Sequence, residues 1–204
     1  MTPLTHVSSL AAVLREDYVD TDVIFPARFL LLMDREGLGQ YLFRDRRYDG
    51  NTLRSPPFIL DRPPFDAAQI LITGTGFGCG SSREQAPWAL HDHGIRVLIA
   101  SGFGDIFRNN CVKTGILPIE MAPEVVSRLM TFAEEGVRFF VNLETRELKT
   151  GEFCLPISAP QSEIDALLKG QDETTEILER FGENIEVFEN AHRAAQPWLF
   201  RNTD

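Results

Sequence analysis

Gly74-Thr75-Gly76-Phe77-Gly78-Cys79-Gly80-Ser81-Ser82-Arg83-Glu84-Gln85-Ala86-Pro87-Trp88-Ala89-Leu90 is the stretch on which the reading of this chain turns. The apolar run Ile70-Leu71-Ile72 before it reads as a buried strand, and Trp88-Ala89-Leu90 reads as helix interior. Glycine at alternate positions lets the backbone bend sharply and approach a ligand closely. Ser81 and Glu84, and again Ser82 and Gln85, have the Ser-x-x-Glu/Gln spacing of a capping box. Pro87 lacks an N–H and disturbs a helix least in its first turn, which puts the helix start near Ser82–Glu84. Free N–H groups, two hydroxyls and the Arg83 guanidinium at that start suit a carboxylate or a phosphate. A well-capped strand–turn–helix junction is the commoner meaning of such a turn. Two nucleotide motifs are excluded by spacing. Cys79 and Ser81 stand where Gly-x-Gly-x-x-Gly needs glycine, and Gly-x-x-x-x-Gly-Lys-Ser/Thr is absent.

Downstream, His91-Asp92-His93-Gly94 closes the helix, with Gly94 as its C-cap. The two histidines, at i and i+2, point to different faces and read as surface or capping groups rather than a metal pair. Ile95–Ala100 is a second buried strand, followed by another glycine turn, Ser101-Gly102-Phe103-Gly104, and a short helix over Asp105–Val112. This strand–helix–strand–helix order implies a parallel sheet. Both glycine turns then fall at the carboxyl ends of strands, where such sheets bind ligands, so the two turns are expected to share one site. Ile116–Ile119 is a third strand and Pro123–Glu135 an amphipathic helix ending at Gly136. Val137–Leu143, Glu147–Lys149 and Glu152–Ile157 read as antiparallel strands. Residues 161–200 read as two or three short helices.

Upstream, Val7–Leu14 is ambiguous between strand and helix. Asp20-Thr21-Asp22 precedes Val23-Ile24-Phe25-Pro26, and from spacing alone its carboxylates cap a turn. Phe29–Leu38 is expected to form a short helix. Residues 41–66 read as a long loop, broken by Pro56-Pro57 and Pro63-Pro64. Arg44, Arg46 and Arg47 make that loop basic in an acidic protein, which tilts it toward an anionic partner.

Composition narrows the function. The 204 residues suffice for one core plus an appended segment, and the 43% apolar and 25% charged residues are those of a globular domain. A net charge of −10 argues against nucleic acid or an anionic membrane as partner. No apolar run reaches membrane-span length, and Met1–Leu10 has no secretory pattern. Three cysteines, an odd number, suggest reduced thiols and a cytoplasmic setting. Cys79, Cys111 and Cys154 are too scattered for a local iron–sulfur motif and read as small buried residues, Cys154 most clearly. Cys79 and Cys111 can also line a site without binding metal.

Three segments together resemble the small subunits of 3-isopropylmalate dehydratase. They are Asp20–Leu30, then Phe77-Gly78-Cys79-Gly80-Ser81-Ser82-Arg83-Glu84, then Asp105-Ile106-Phe107-Arg108-Asn109-Asn110-Cys111. Their order and separation agree too, and the resemblance covers nearly the whole chain. The Gly-Cys-Gly-Ser-Ser-Arg-Glu motif is specific to the aconitase superfamily and overrides the plain-junction reading. The resemblance implies an α/β fold, the swivelling β/β/α domain of that superfamily, over residues 1–160, with a helical C-terminal segment over 161–204. It implies a heterodimer with a large subunit that carries a [4Fe-4S] cluster through three cysteines, with no cofactor bound by this chain. The implied reaction removes water from 2-isopropylmalate to give 2-isopropylmaleate and returns it to the neighbouring carbon, a step of leucine biosynthesis.

By the same resemblance Ser81 is the catalytic base and Asp22 an active-site aspartate. Ser82, Arg83 and Arg28, with Gly80 and Cys79 of the loop, bind the dicarboxylate. Gln85 stands where the family usually has His, Gly102 and Gly104 where it has Ser and Ala, Arg108 where it has Tyr, and Arg46 near a frequent Trp. These departures bear on the substrate. The rival readings are a paralogous hydro-lyase acting on another malate-like diacid, such as a methylated malate or homoaconitate, and a non-catalytic anion-binding module.

Overall fold

Alternating burial explains the architecture, and all four residues of each central strand are buried. The structure is a computed structural model that describes residues 1–171 and 173–200. Residue 172 and the last four residues of the expected C-terminal segment lie outside them. In chain order the strands and helices are β1 (His6–Ser9), β2 (Ala11–Leu14), α1 (Thr21–Ile24), α2 (Arg44–Arg47), β3 (Tyr48–Asp49), β4 (Thr52–Leu53), β5 (Ile70–Thr73), α3 (Gln85–His93), β6 (Val97–Ala100), α4 (Asp105–Thr114), β7 (Leu117–Glu120), α5 (Pro123–Glu134), β8 (Phe139–Asn142), β9 (Glu147–Thr150), β10 (Phe153–Pro156), α6 (Gln161–Lys169) and α7 (Glu173–Ala195). Met1–Gly170 form one unit, and a second begins at Gln171.

Strands β2, β5, β6 and β7 make a parallel sheet in that order, with Ala11 opposite Ile70, Ile70 opposite Val97 and Val97 opposite Leu117. One face of this sheet, through Ala11, Ile70, Ile72, Val97 and Ile99, packs with Val126, Leu129 and Met130 of α5 and with Phe139, Val141 and Leu148. The other, through Ala12, Leu71 and Leu98, packs with Ala89 and Leu90 of α3 and Phe107 and Cys111 of α4. Each such Ile or Leu, withdrawn from water, contributes about 1.5–3 kcal/mol. A sheet covered on both faces needs near-continuous apolar strands, which is why Ile70–Ile72 and Val97–Ala100 were readable as buried.

The second sheet is antiparallel, in the order β1-β8-β9-β10. The ambiguous run Val7–Leu14 is two strands that part at Leu10, β1 joining this sheet through β8 and β2 joining the parallel one. At the other end of the unit, the Leu4 N–H donates to the Leu167 carbonyl of α6 at 2.9 Å.

Several expectations are corrected. Phe29–Leu38 is not a helix. Its only regular turns are a 3-10 turn at Ala27–Phe29 and another at Leu38–Tyr41, and Leu31 and Met33 between them are 93% and 71% exposed. Region 41–66 holds α2, the small β3–β4 hairpin and two further 3-10 turns. Its arginines are spent inside the chain. Arg47 is buried against Asp61 (2.7 Å) and donates to the Gly39 and Leu42 carbonyls, Arg46 pairs with Glu16 (2.7 Å), and Arg44 bonds Gly50 and Asn51. A buried pair of this kind loses about 3–5 kcal/mol when one partner is removed, so Arg47 is structural. Cys154 is exposed on the edge strand β10, not buried, whereas Cys111 is fully buried. His91 and His93 are half-buried rather than on the surface.

Of the short helices expected over 161–200, α6 is one, while the second unit contains a single 23-residue helix, α7, and a 3-10 turn at Pro197–Phe200. His192 stacks edge-on to Phe200 and closes that turn back on the helix. No helix among the described residues is long and apolar enough to cross a membrane.

Candidate active site

The glycine stretch runs beyond the carboxyl end of β5 and is fastened along both sides. On one side Tyr18 N–H donates to the Thr75 carbonyl (2.7 Å), Gly78 N–H to Val19 (2.8 Å), and Thr21 N–H to Cys79 (2.9 Å). On the other, Phe77 N–H donates to Gly102 (3.1 Å) and Gly104 N–H to Phe77 (3.0 Å). The two glycine turns are therefore joined, as their common place at the strand ends implied.

Such close packing needs glycine at specific points. Gly78 has φ +75°, and a Cβ there would lie 2.1 Å from the Phe107 ring. Gly80 has φ +97°, and a Cβ there would lie 2.2 Å from the Asp20 carboxylate. Phe77, just before Gly78, is fully buried against Phe43 and Phe107.

The chain emerges at Gly80, Ser81 and Ser82, all exposed. No described residue hydrogen-bonds the hydroxyl of Ser81 or Ser82. The expected capping boxes do not form. Helix α3 starts at Gln85, its N-cap Glu84 is already helical, and no side chain caps it. The serines stand outside the helix because the Ser81 carbonyl is held elsewhere, accepting from Arg83 N–H at 2.9 Å and from the Thr21 hydroxyl at 3.1 Å.

Arg83 folds back under the bend and grips the Asp22 carboxylate with both terminal nitrogens. Its side chain is only 12% exposed, while that of Asp22 is 52% exposed. The Arg83 guanidinium, with help from the Ala27 N–H, holds the Asp22 carboxyl below the usual carboxylate range, and the pairing in turn raises the Arg83 pKa. The sequence placed these two residues in one site, and the structure brings them into direct contact. Cys79 is partly buried, with its carbonyl taken by Thr21.

Arg28 lies in the adjoining hollow of about 430 Å³, lined with Asp22, Val23, Pro26, Ala27, Asp45 and Arg46. It is not an open clamp, because both of its terminal nitrogens bind Asp45, at 3.0 and 2.5 Å. Among the departures from the family pattern, Arg108 points away to Glu163 of α6 (2.5 and 2.9 Å), and Gln85 donates to the Leu30 carbonyl at 3.4 Å. Spacing favours a capping role for Asp20-Thr21-Asp22 over a ligand-facing one. Asp20 does cap the Asp22 N–H at 2.7 Å, yet all three residues also meet the bend some 60 positions away. Spacing carries no signal of that juxtaposition; only the resemblance put Asp22 and Arg83 in one site.

The residues do not fit an iron–sulfur cluster. The three thiols lie in three settings, Cys79 half-buried in the bend, Cys111 in the core and Cys154 on an edge strand. Burial pushes the Cys111 thiol well above its ordinary pKa, which disfavours a thiolate ligand. Among the described residues no group of three His, Cys, Asp or Glu side chains is arranged to hold a metal.

Parallel and antiparallel sheets with helices between, carrying a serine–arginine bend at the strand ends, define the swivel domain of the aconitase class. A family model described as the aconitase C-terminal domain matches residues 1–124. Small subunits of 3-isopropylmalate dehydratase resemble the chain from end to end. The one from Rhodospirillum centenum is 44% identical over 97% of this chain and 98% of its own length. The one from Cereibacter sphaeroides is 42% identical over 98% and 100%. The chain belongs to the family of 3-isopropylmalate dehydratase small subunits. A crystal structure titled 3-isopropylmalate dehydratase from Methanocaldococcus jannaschii shares the fold, with a TM-score of 0.62 over 90% of this chain and 99% of that one at 24% identity.

Proposed function

We propose that this chain is the small subunit of a cytoplasmic heterodimeric hydro-lyase that interconverts 2-isopropylmalate and 3-isopropylmalate through 2-isopropylmaleate in leucine biosynthesis. One observation carries the reading. The bend presents two hydroxyls without partners among the described residues to the outside, while the backbone behind them is fastened. That is half a pocket, and a large subunit supplies the other half. We assign the [4Fe-4S] cluster implied by the resemblance to that partner, since the thiols here do not converge.

This chain's part is proton transfer and anion binding. The proton to be moved lies α to a carboxylate, so negative charge builds up as it leaves. Ser81 takes it through Oγ, and the nearby cation of Arg83 favours the alkoxide that this requires. Asp22 occupies the terminal nitrogens of Arg83 and sets the plane of the guanidinium, so Arg83 grips a substrate carboxylate only when Asp22 yields it. Ser82 adds a second donor, and Gly80, exposed and without a side chain, admits the diacid close to the backbone. Arg28 reaches a second carboxylate only when Asp45 releases it. The Arg46 and Arg108 charges, which depart from the family pattern, are neutralised by Glu16 and Glu163, and this favours the isopropylmalate reading over a paralogous diacid.

The test is reconstitution with the large subunit and a panel of 2-hydroxy diacids. Turnover should need both chains and favour isopropylmalate. Ser81→Ala should lower kcat at least about a hundredfold while the subunits still associate. A near-normal rate in that variant removes the base assignment. Preference for another diacid selects the paralogue, and an inert complex selects the anion-binding module.

A further inference from the structure

Thr21 is a polar residue with no exposure, in the middle of the Asp20-Thr21-Asp22 turn. Its N–H donates to the Cys79 carbonyl at 2.9 Å, and its hydroxyl donates to the Ser81 carbonyl at 3.1 Å, across 60 residues of chain. The residue before it lays a carboxylate against the open face of Gly80, and the residue after it holds Arg83. Three consecutive residues thus fasten Cys79, Gly80, Ser81 and Arg83. Of these three, Thr21 is the one that binds the Ser81 peptide group, whose carbonyl also accepts from the Arg83 N–H.

We propose that Thr21 is a positioning residue that sets the direction of the Ser81 hydroxyl. The proposal deepens the functional reading above and rests on it for the role of Ser81. Among the described residues the Ser81 Oγ has no partner, so only the backbone at Ser81 limits where its χ1 rotamers can place it. The Ser81 carbonyl is fixed by two donors. The Arg83 N–H is local and turns with the bend, whereas the Thr21 hydroxyl comes from the fixed floor below. Removing that hydroxyl leaves the bend free to rotate its peptide planes about the local bond. Displacements of about an ångström in a reacting group slow chemistry far more than they weaken binding.

The experiment compares Thr21→Val, which keeps the shape and loses the donor, with Thr21→Ser, which keeps the donor, in the two-subunit enzyme acting on 2-isopropylmalate. Thr21→Val should lower kcat by about tenfold to a hundredfold with KM within about twofold of the parent. Thr21→Ser should restore kcat to within about twofold. Where Val does not assemble, Thr21→Cys, a weaker donor, takes its place and should give an intermediate kcat. Unchanged kcat in Val, equal losses in Val and Ser, or a rise in KM matching the fall in kcat would each overturn the proposal. Amide exchange on the chain alone is the independent readout. Thr21→Val should speed exchange at Arg83 about tenfold and leave Val97–Ala100 unaltered. Unaltered exchange at Arg83 overturns the tether itself with the functional reading intact, whereas full activity in Ser81→Ala overturns the proposal through that reading.

Discussion

Two irregular stretches meet near the start of α3, and they invert what their compositions suggest. Residues 74–83 are rich in glycine, yet backbone bonds to Tyr18–Thr21 on one side and Gly102–Gly104 on the other hold them. Residues 30–36 are rich in leucine, yet Leu31 and Met33 face solvent, and the stretch is held by Leu30 against the core, the Gln85 bond to the Leu30 carbonyl and the Arg35 guanidinium over the Trp88 ring. Glycine here serves close approach, not looseness, and of the leucines here only Leu30 packs against the core. Burial is decided by what the sheet can reach, not by apolarity alone. An apolar segment held out beside unpartnered hydroxyls also fits a surface that another chain covers.

Three measurements can break or sharpen that contrast. Gly78→Ala should act most strongly, because its Cβ meets the Phe107 ring and its φ is left-handed. A loss of about 3 kcal/mol or more in urea unfolding is expected. A loss below about 1 kcal/mol would mean the bend is looser than its bonds imply. Acid should come second. Burial pushes the His91 pKa down to about 4 and that of His93 down as well, so both rings are neutral in the fold. The unfolded chain binds these protons first, so stability is level above about pH 6.5 and falls as pH drops toward 4. His91→Gln should flatten that fall by about 1 kcal/mol, allowing for a ring still half in water. Its effect should show at the Gly39 amide, bonded to Asp92 at 2.7 Å, before it shows in the glycine bend. Leu31→Ser should do least, changing the stability of the chain alone by less than about 0.5 kcal/mol while weakening association with the large subunit. A larger loss in the isolated chain would show that Leu31 packs against the chain itself.

Much of this was legible in the sequence because it depends on local pattern. Continuous apolar runs gave β5 and β6, strand-like runs between turns gave β8 to β10, and the family-like motif gave the candidate site, whereas β2 was ambiguous. The mismatches arise where a distant partner overrides a local preference. Ser81 and Ser82 carry capping-box spacing, but the Ser81 carbonyl is drawn to Thr21, so the helix begins later without them. Arg44, Arg46 and Arg47 look like a basic loop, but Asp61 and Glu16 lie 14 and 30 positions away and claim two of them. Of the candidate site, the Asp22–Arg83 contact was anticipated as neighbourhood only. The occupation of Arg28 by Asp45 carried no sequence signal, since a spacing of 17 residues marks no motif.

The bond from Leu4 to Leu167, with β1 paired to β8, has a consequence for biosynthesis. The first strand made has no neighbour in its sheet until some 130 further residues have left the ribosome. The parallel sheet, its glycine bend and α5 can assemble before then, but the part of that core which Phe139, Val141 and Leu148 complete stays open to water. Nascent chains stalled ahead of β8 should therefore attract chaperones, and those released after α6 should not.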